Sequence, residues 1–205
     1  MHYFFYFAVL GALLPYLGLY FKSLSFTPVE IGQLLGVLMA TKVIAPNLWG
    51  WLADRSGLSM KWVRLATGLT AVAGVGLVVF ESYWALFATI LLFSFFWHAS
   101  LPQFESYTFG CLGNQKDKYG QIRLWGSVGF IAAVLLIGWQ IEQFGVSVLP
   151  WDLLTLMILV WLTAFLVSDG QPKVHHENSD GFTSILKRPE VWSLLLVSFL
   201  VQLSH

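Results

Sequence analysis

The chain has 205 residues, of which 57% are hydrophobic and 11% charged, and its 11 basic and 11 acidic side chains cancel. A soluble domain carries about 25% charged residues, so too few charges remain here to cover a water-facing surface, and lipid must solvate most of the chain. The zero net charge argues against nucleic acid or an acidic polymer as a partner. The single Cys111 excludes an intrachain disulfide and any metal site built from several cysteines.

Six stretches are long and apolar enough to cross a bilayer as helices, which takes about 20 residues each. They span residues 3–21, 31–52, 63–80, 83–107, 122–141 and 149–167, and a seventh begins near Val191 and is cut off at His205. The first stretch lacks a basic segment before it and a small-residue cleavage site after it, so we expect a retained helix rather than a signal peptide. The pattern predicts an all-α membrane protein.

The basic residues predict the orientation of these helices. The loops after the second, fourth and sixth stretches contain Arg55, Lys61, Arg64, Lys116, Lys118, Lys173, Lys187 and Arg188. The other loops contain only Lys22. Cytoplasmic loops are the basic ones, so we expect the N-terminus and the even-numbered loops to face the cytoplasm, with the chain in the cytoplasmic (inner) membrane.

This pattern divides the chain into three segments. Residues 1–168 form a six-helix bundle, with two three-helix repeats at about 1–80 and 81–168, and residues 169–190 form a polar cytoplasmic linker. The adjacent His175 and His176 can bind metal, but a solvated linker explains them as well. Residues 191–205 are the truncated start of a seventh helix. A transporter made of two such halves is about twice as long, so we expect a fragment whose C-terminal six-helix half is missing.

Small residues recur at helical spacing on two of the predicted helices. They are Gly32, Gly36 and Ala40 on the second, and Gly126, Gly129 and Ala133 on the fifth. Close backbone approach favours helix association in lipid. Both stripes therefore predict helix–helix contacts.

Ionisable groups inside apolar helices are costly and usually face a partner or a cavity. Glu105 and Arg123 lie nine positions before and nine after Asn114, the centre of the hairpin between the fourth and fifth helices. Antiparallel helices bring such residues to similar depth. The two can form a structural salt bridge, or they can part to bind a substrate through charge-assisted hydrogen bonds.

Two further ionisable groups lie near the middle of the bundle. His98, seven residues before Glu105 and on the same face, can relay protons or can be neutral and hydrogen-bonded to a neighbouring helix. Lys42 is halfway along the second helix and should pair with an acid such as Glu105 or meet an anionic substrate. Tyr16 and Phe130 can supply stacking surfaces for a substrate, although most rings in so aromatic a chain serve packing.

The charged run between the second and third helices resembles a known signature. Gly50-x-Leu52-Ala53-Asp54-Arg55-x-Gly57 is similar to the loop 2–3 motif of the major facilitator superfamily, without the basic pair that usually follows. The resemblance implies a role for Gly50, Asp54, Arg55 and Gly57 in holding one conformation of the bundle. It gives no substrate.

A closer resemblance lies at the fourth and fifth helices. Pro102-x-x-Glu105 and Tyr119-Gly120-x-x-Arg123-Leu124-Trp125-Gly126-Ser127-Val128-Gly129-Phe130 resemble the lactose-permease and phenylpropionate-permease-like branch of proton symporters. In the lactose-permease members of that branch, a glutamate and an arginine at this separation bind the sugar, with an aromatic ring stacked on it. The resemblance thus implies substrate contacts at Glu105, Arg123 and Phe130.

The expected function is secondary active transport: a proton and a small organic solute enter together, by alternating access. The solute would be an aromatic carboxylate, a sugar or a nucleoside, with no cofactor and the proton gradient as energy source. The alternative is a non-transporting membrane protein or an inactive product of a truncated gene. An enzyme is not expected, since no nucleophile–base pair or metal-ligand cluster is present in the sequence.

Overall fold

The computed structural model describes residues 1–56, 59–113 and 115–167, together with Trp192, Ser193 and Val197. The predicted linker at 169–190 and nearly all of the predicted seventh helix lie outside these residues, as do Gly57 and Asn114. Residues Lys173–His205 form a unit separate from Met1–Pro172. The larger unit, Met1–Pro172, contains the bundle of apolar helices.

Each of the six predicted stretches is a helix. The helices are α1 (His2–Ser23), α2 (Pro28–Ser56), α3 (Ser59–Val79), α4 (Tyr83–Leu112), α5 (Tyr119–Phe144) and α6 (Leu149–Phe165), with short 3₁₀ turns at Lys116–Lys118 and Val146–Val148. Among the residues that the structure describes, six helices are long and apolar enough to cross a membrane. The expectation of an all-α, multi-pass membrane protein is confirmed.

Local sequence features explain where α2 begins and where α5 ends. Before α2, Thr27 and Glu30 form a capping box: the Thr27 backbone N–H donates to Glu30 Oε2 at 2.8 Å, and the Glu30 N–H donates to Thr27 Oγ1 at 3.3 Å. Pro28 follows at the first helical position, where its missing N–H costs nothing. Later in the chain, α5 stops at Gly145, whose φ of +85° suits glycine.

The motif predicted to lie on a loop is mostly helical. Gly50 to Arg55 form the last turns of α2, which continues to Ser56, and α3 starts at Ser59. The second helix was predicted to end at residue 52, and the prediction of a loop from residue 53 was wrong because this segment has no proline and places Arg55 in the last turn, where a cation favours the helix dipole.

The six helices pack in a symmetric pattern. The principal contacts join α1 to α5 and α6, α4 to α2 and α3, and α3 to α6. Exchanging the first three helices for the last three leaves this set of contacts unchanged, as expected of two repeats related by a pseudo-twofold axis. The least buried spans are α2 and α5: 22% of the residues in their apolar 18-residue segments are buried, against 39–50% in the other helices. These two helices are also equivalent under the exchange.

The two stripes of small residues behave differently. On α5, a Cβ atom added to Gly129 would meet the backbone carbonyl of Phe4 on α1, so the predicted close contact is present. On α2, nothing lies within 4 Å of a Cβ at Gly32 or Gly36 in the part of the chain that the structure describes. The contact predicted there is absent from this bundle because α2 packs through its opposite face, which contains the buried Leu34 and Leu38.

Helices α1 and α4 meet through large aromatic side chains rather than close backbones. The rings of Tyr6 and Trp97 stack with centroids 3.9 Å apart and planes 7° from parallel. One turn nearer the start of α1, Tyr3 packs edge-on against Phe104 at 5.0 Å. Phe104 directly precedes Glu105, the ionisable residue near the end of α4.

Candidate substrate site

The hairpin from α4 to α5 brings Glu105 and Arg123 together. Glu105 lies two turns before the end of α4, and Arg123 is the fifth residue of α5. The distance from Arg123 Nε to Glu105 Oε1 is 3.7 Å, and the side chains are 34% and 32% exposed, respectively. This loose, one-sided contact differs from the bidentate pairing that arginine makes in a tight structural salt bridge.

Tyr119 completes the polar group. Its hydroxyl donates a hydrogen bond to the same Glu105 oxygen at 3.0 Å. Tyr119 precedes Arg123 by four residues, one helical turn, so both side chains lie on one face of α5. The Tyr119 ring also stacks on Phe109 of α4, with centroids 4.2 Å apart. Glu105 is therefore held from α5 by two side chains.

Helix α1 supplies an aromatic floor to this group. The guanidinium carbon of Arg123 lies 3.8 Å from the centre of the Phe7 ring and 6.0 Å from that of Tyr3. Gly126 makes room for this arrangement, since a Cβ there would lie 2.7 Å from the Phe7 ring and 2.9 Å from Arg123 Nη1. Glycine at this position allows the cation to lie over the ring.

The arrangement leaves hydrogen-bonding capacity unused. A guanidinium has five N–H donors, yet the only acceptor near Arg123 within the described ranges is one oxygen of Glu105. Both side chains are about one-third exposed, so they can reach a ligand. The site can thus offer donors from Arg123, acceptors from Glu105 and ring faces for an apolar surface.

The two predicted stacking residues lie elsewhere along the α1–α5 contact. The Tyr16 hydroxyl donates to the Val134 carbonyl of α5 at 2.8 Å, which links the two helices. Phe130 is half-buried and lies seven residues, about two turns, beyond Arg123 on α5. Phe130 faces the same side as Arg123, at greater depth.

His98 and Lys42 are not part of this group. His98 Nε2 lies 3.0 Å from the Leu38 carbonyl of α2, the hydrogen bond to a neighbouring helix that was one of the two hypotheses for this residue. Lys42 is exposed one turn after Leu38. The predicted Lys42–Glu105 pairing does not occur in the described part of the chain, because Glu105 lies seven residues, about 10 Å, along α4 from His98.

The residues of the superfamily motif are only partly described. Arg55 lies over the ring of Trp51 with its guanidinium carbon 4.0 Å from the ring centre, and Gly50 approaches Gln103 of α4. Asp54 is helical, and its side chain and Gly57 lie outside what the structure describes. The gating role stays a prediction.

Three contributors to the site were not singled out from the sequence. Tyr119 was detectable, since its four-residue spacing from Arg123 places it on the same helix face. Phe7 and Tyr3 carry no local signal, because they reach the site only through packing of α1 against the hairpin. Within the described residues, no three histidine, cysteine, aspartate or glutamate side chains are placed to hold a metal.

Comparison with known proteins supports the fold and the family. The model of the MFS_1 like family matches residues 1–205. Maltose permease of Geobacillus stearothermophilus is 31% identical over 150 residues, which cover 73% of this chain and 38% of that protein. The probable 3-phenylpropionic acid transporter of Escherichia coli (strain K12) is 28% identical over 223 residues, covering 99% of this chain and 54% of that protein.

A solved structure agrees with this. The crystal structure of nucleoside transporter NupG superposes with a TM-score of 0.77 at 21% identity, over 98% of this chain and 50% of that chain. The present chain thus spans about half the length of these relatives or less. It belongs to the MFS_1 like family of the major facilitator superfamily and has the fold of the N-terminal six-helix half.

Proposed function

We propose that this chain is the N-terminal half of a proton-coupled secondary transporter that moves a small organic solute across the cytoplasmic membrane. Glu105 and Arg123 bind the solute, and the bundle works by transport rather than by catalysis. The observation that carries this proposal is the unused hydrogen-bonding capacity of Arg123, in a one-third-exposed ion pair between apolar helices. An arginine with a purely structural role would donate its N–H groups to acceptors of the protein, because unmade hydrogen bonds are costly away from water.

The chemistry of the site suits three classes of solute. The relatives are described as a maltose permease, a probable 3-phenylpropionic acid transporter and a nucleoside transporter. Sugar and nucleoside hydroxyls can donate to Glu105 and accept from Arg123, while a carboxylate can bind Arg123 directly. Tyr16 on α1 and Phe130 on α5 lie deeper in the bundle and would border the solute. His98 and the exposed Lys42 would border it on the α2 side.

A second six-helix half is the partner that the exposed helices require. Helices α2 and α5 are equivalent in the packing pattern and are the least buried spans. Gly32 and Gly36 on α2 are exposed and would permit close approach of another helix. Alternating access then arises from rocking of the two halves around a solute held between them. The basic residues of the even-numbered loops support a cytoplasmic location for the N-terminus and the linker.

Uptake by the full-length form tests the proposal. Cells that express it would be given radiolabelled maltose, 3-phenylpropionate and uridine, with and without a protonophore that abolishes the proton gradient. We expect uptake of one of the three above vector-only cells, and loss of its accumulation with the protonophore. Uptake of none would contradict the substrate classes, and accumulation that persists without the gradient would contradict proton coupling.

The Arg123→Ala variant tests the site. Loss of two charge-assisted hydrogen bonds, at about 1.5 kcal/mol each, lowers uptake about 100-fold. The matched control is Lys22→Ala, which removes an exposed cation in the last turn of α1, far along that helix from Phe7 and the site. Membrane insertion of both variants should equal that of the wild type. Wild-type uptake by Arg123→Ala would show that the arginine is structural only.

A further inference from the structure

A cavity between two helices of the bundle is separate from the Glu105–Arg123 site. It lies between α5 and α6, with the first turns of α1 as its floor, and has a volume of about 230 Å³. Its apolar lining includes Phe4, Ala8, Gly129, Ala132 and Leu136. Neither Glu105 nor Arg123 borders it. The cavity therefore needs its own explanation.

The length of this groove matches the thickness of one leaflet of a bilayer. Its lining on α5 runs from Gly129 to Gln140, and eleven residues at 1.5 Å each make about 16 Å. The hydrocarbon core of a bilayer is about 30 Å thick, so the groove is about as long as half of that core. A long apolar groove of this length fits a lipid acyl chain.

One end of the groove is polar and lies where a membrane surface is expected. Gln140 is one turn before the end of α5, and Asp152 is in the first turn of α6. The neighbouring Trp139 and Trp151 are 57% and 62% exposed. Exposed tryptophans mark the level of lipid head groups, so this end of the groove lies at the head-group level.

Asp152 has an unmet requirement for a hydrogen-bond donor. Its Oδ2 atom is buried and has no hydrogen-bond partner in the part of the chain that the structure describes. A buried carboxylate oxygen without a partner is costly. A ligand that occupies the groove and carries a cationic donor at the level of Asp152 would supply the missing hydrogen bond.

We propose that this groove binds a phospholipid with a primary ammonium head group, the ethanolamine type. The acyl chain lies along α5 toward Gly129, and the ammonium donates a hydrogen bond to Asp152 Oδ2. A primary ammonium offers three N–H donors, whereas the quaternary ammonium of a choline lipid offers none. The glycerol head group of an anionic lipid brings its negative phosphate to Asp152 without a compensating cation.

Native mass spectrometry of the purified full chain tests the proposal. The chain would be titrated with phosphatidylethanolamine, phosphatidylcholine and phosphatidylglycerol that carry identical palmitoyl chains. We expect a preference of about tenfold for the ethanolamine lipid over the other two, the effect of one charge-assisted hydrogen bond. Equal binding of the three lipids would overturn the proposal and indicate an unselective acyl groove.

Two variants and a control locate the binding. Asp152→Asn should reduce the preference for the ethanolamine lipid to less than about twofold. Glu142→Gln removes the same charge at the same end of the bundle but outside the groove, and should leave the preference unchanged. Ala132→Phe fills the groove and should lower the binding of all three lipids at least fivefold. A preference that survives in Asp152→Asn would overturn the proposal, whatever the effect of the filled groove.

Discussion

Two arginines near the starts of parallel helices show how differently the same side chain is used in this bundle. Arg64, the sixth residue of α3, donates from Nε to the Ala164 carbonyl at 3.1 Å and from Nη2 to the Val167 carbonyl at 2.8 Å. Within the residues that the structure describes, the only ion-pair contact of Arg123, the fifth residue of α5, is 3.7 Å long and joins one carboxylate oxygen. Arg64 satisfies carbonyls at the end of α6 that have no partner within the helix.

The difference lies in the neighbours and not in the depth of the two residues. The donors of Arg64 are used to join α3 to α6, and its guanidinium also lies 5.3 Å from the Phe165 ring. Arg123 is positioned by the Phe7 ring, which supports the cation without occupying its in-plane donors. The charge of a residue in a membrane helix is therefore not enough to make it a candidate for ligand binding. It becomes a candidate when some of its N–H donors have no hydrogen-bond acceptor within the protein.

The contrast between Arg64 and Arg123 is tested most directly by changes to the Glu105–Arg123 pair. A structural salt bridge and a substrate site make opposite predictions for Glu105→Gln, Arg123→Gln and the double variant. We expect each single change to lower uptake by the full-length form about 100-fold, because each removes charge-assisted hydrogen bonds to the solute. The melting temperature should change little, since an ion pair that is one-third exposed contributes about 1 kcal/mol or less. A double variant that regains uptake and stability would identify the pair as a structural link.

Arg64→Ala should show the reverse profile. Two charged hydrogen bonds to carbonyls of α6 are lost, so we expect the free energy of unfolding to fall by about 3 kcal/mol. Uptake per folded molecule should stay at the wild-type level, because Arg64 joins α3 to α6, away from the pair. Thermal unfolding in detergent, with uptake normalised to membrane-inserted protein, measures both. The Arg64→Lys variant retains the charge and should lose less stability; equal loss in the two would assign the effect to the shape of the guanidinium.

Gly126→Ala sharpens the role of the aromatic floor. The added methyl group meets the Phe7 ring and Arg123 Nη1, so the cation must move off the ring, and we expect uptake to fall about tenfold. The energetic cost of such overpacking is about 1–3 kcal/mol. Gly120→Ala is the matched control on the same helix, since nothing lies within 4 Å of a Cβ there. That change should stabilise α5 by up to about 1 kcal/mol, and equal loss of uptake in both variants would contradict the steric explanation.

Particular residues show how much of this arrangement the sequence could predict. The length and hydropathy of the stretches predicted all six helices, and the symmetry of the hairpin about Asn114 predicted that Glu105 and Arg123 share a depth. These inferences rest on the constant rise of a helix and on chain connectivity. The contact of α1 with α5 was partly predictable from Gly126 and Gly129, whose small size permits it.

The remaining features depend on tertiary packing that local patterns do not contain. Phe7 lies beneath Arg123 because α1 crosses α5, and nothing in the sequence around Phe7 distinguishes it from other rings on α1. Lys42 was expected to reach an acid such as Glu105, but the crossing of α2 with α4 places it beside His98. The Gly32 and Gly36 stripe was expected to mark a contact, and it faces outward because the larger Leu34 and Leu38 turn the helix the other way.

Tyr119→Phe tests the smallest contribution to the site. The hydroxyl of Tyr119 holds Glu105 Oε1 at 3.0 Å, and its loss frees the carboxylate to rotate without removing any charge. We expect the KM for uptake to rise about threefold, the effect of a single hydrogen bond worth about 0.7 kcal/mol, with the maximal rate unchanged. Tyr83→Phe removes an exposed hydroxyl that donates to Gln33 at 2.6 Å, far from Glu105, and should leave KM at the wild-type value. A fall in the maximal rate of Tyr119→Phe at constant KM would instead assign Tyr119 to the conformational change, since a residue that only orients the carboxylate acts on binding.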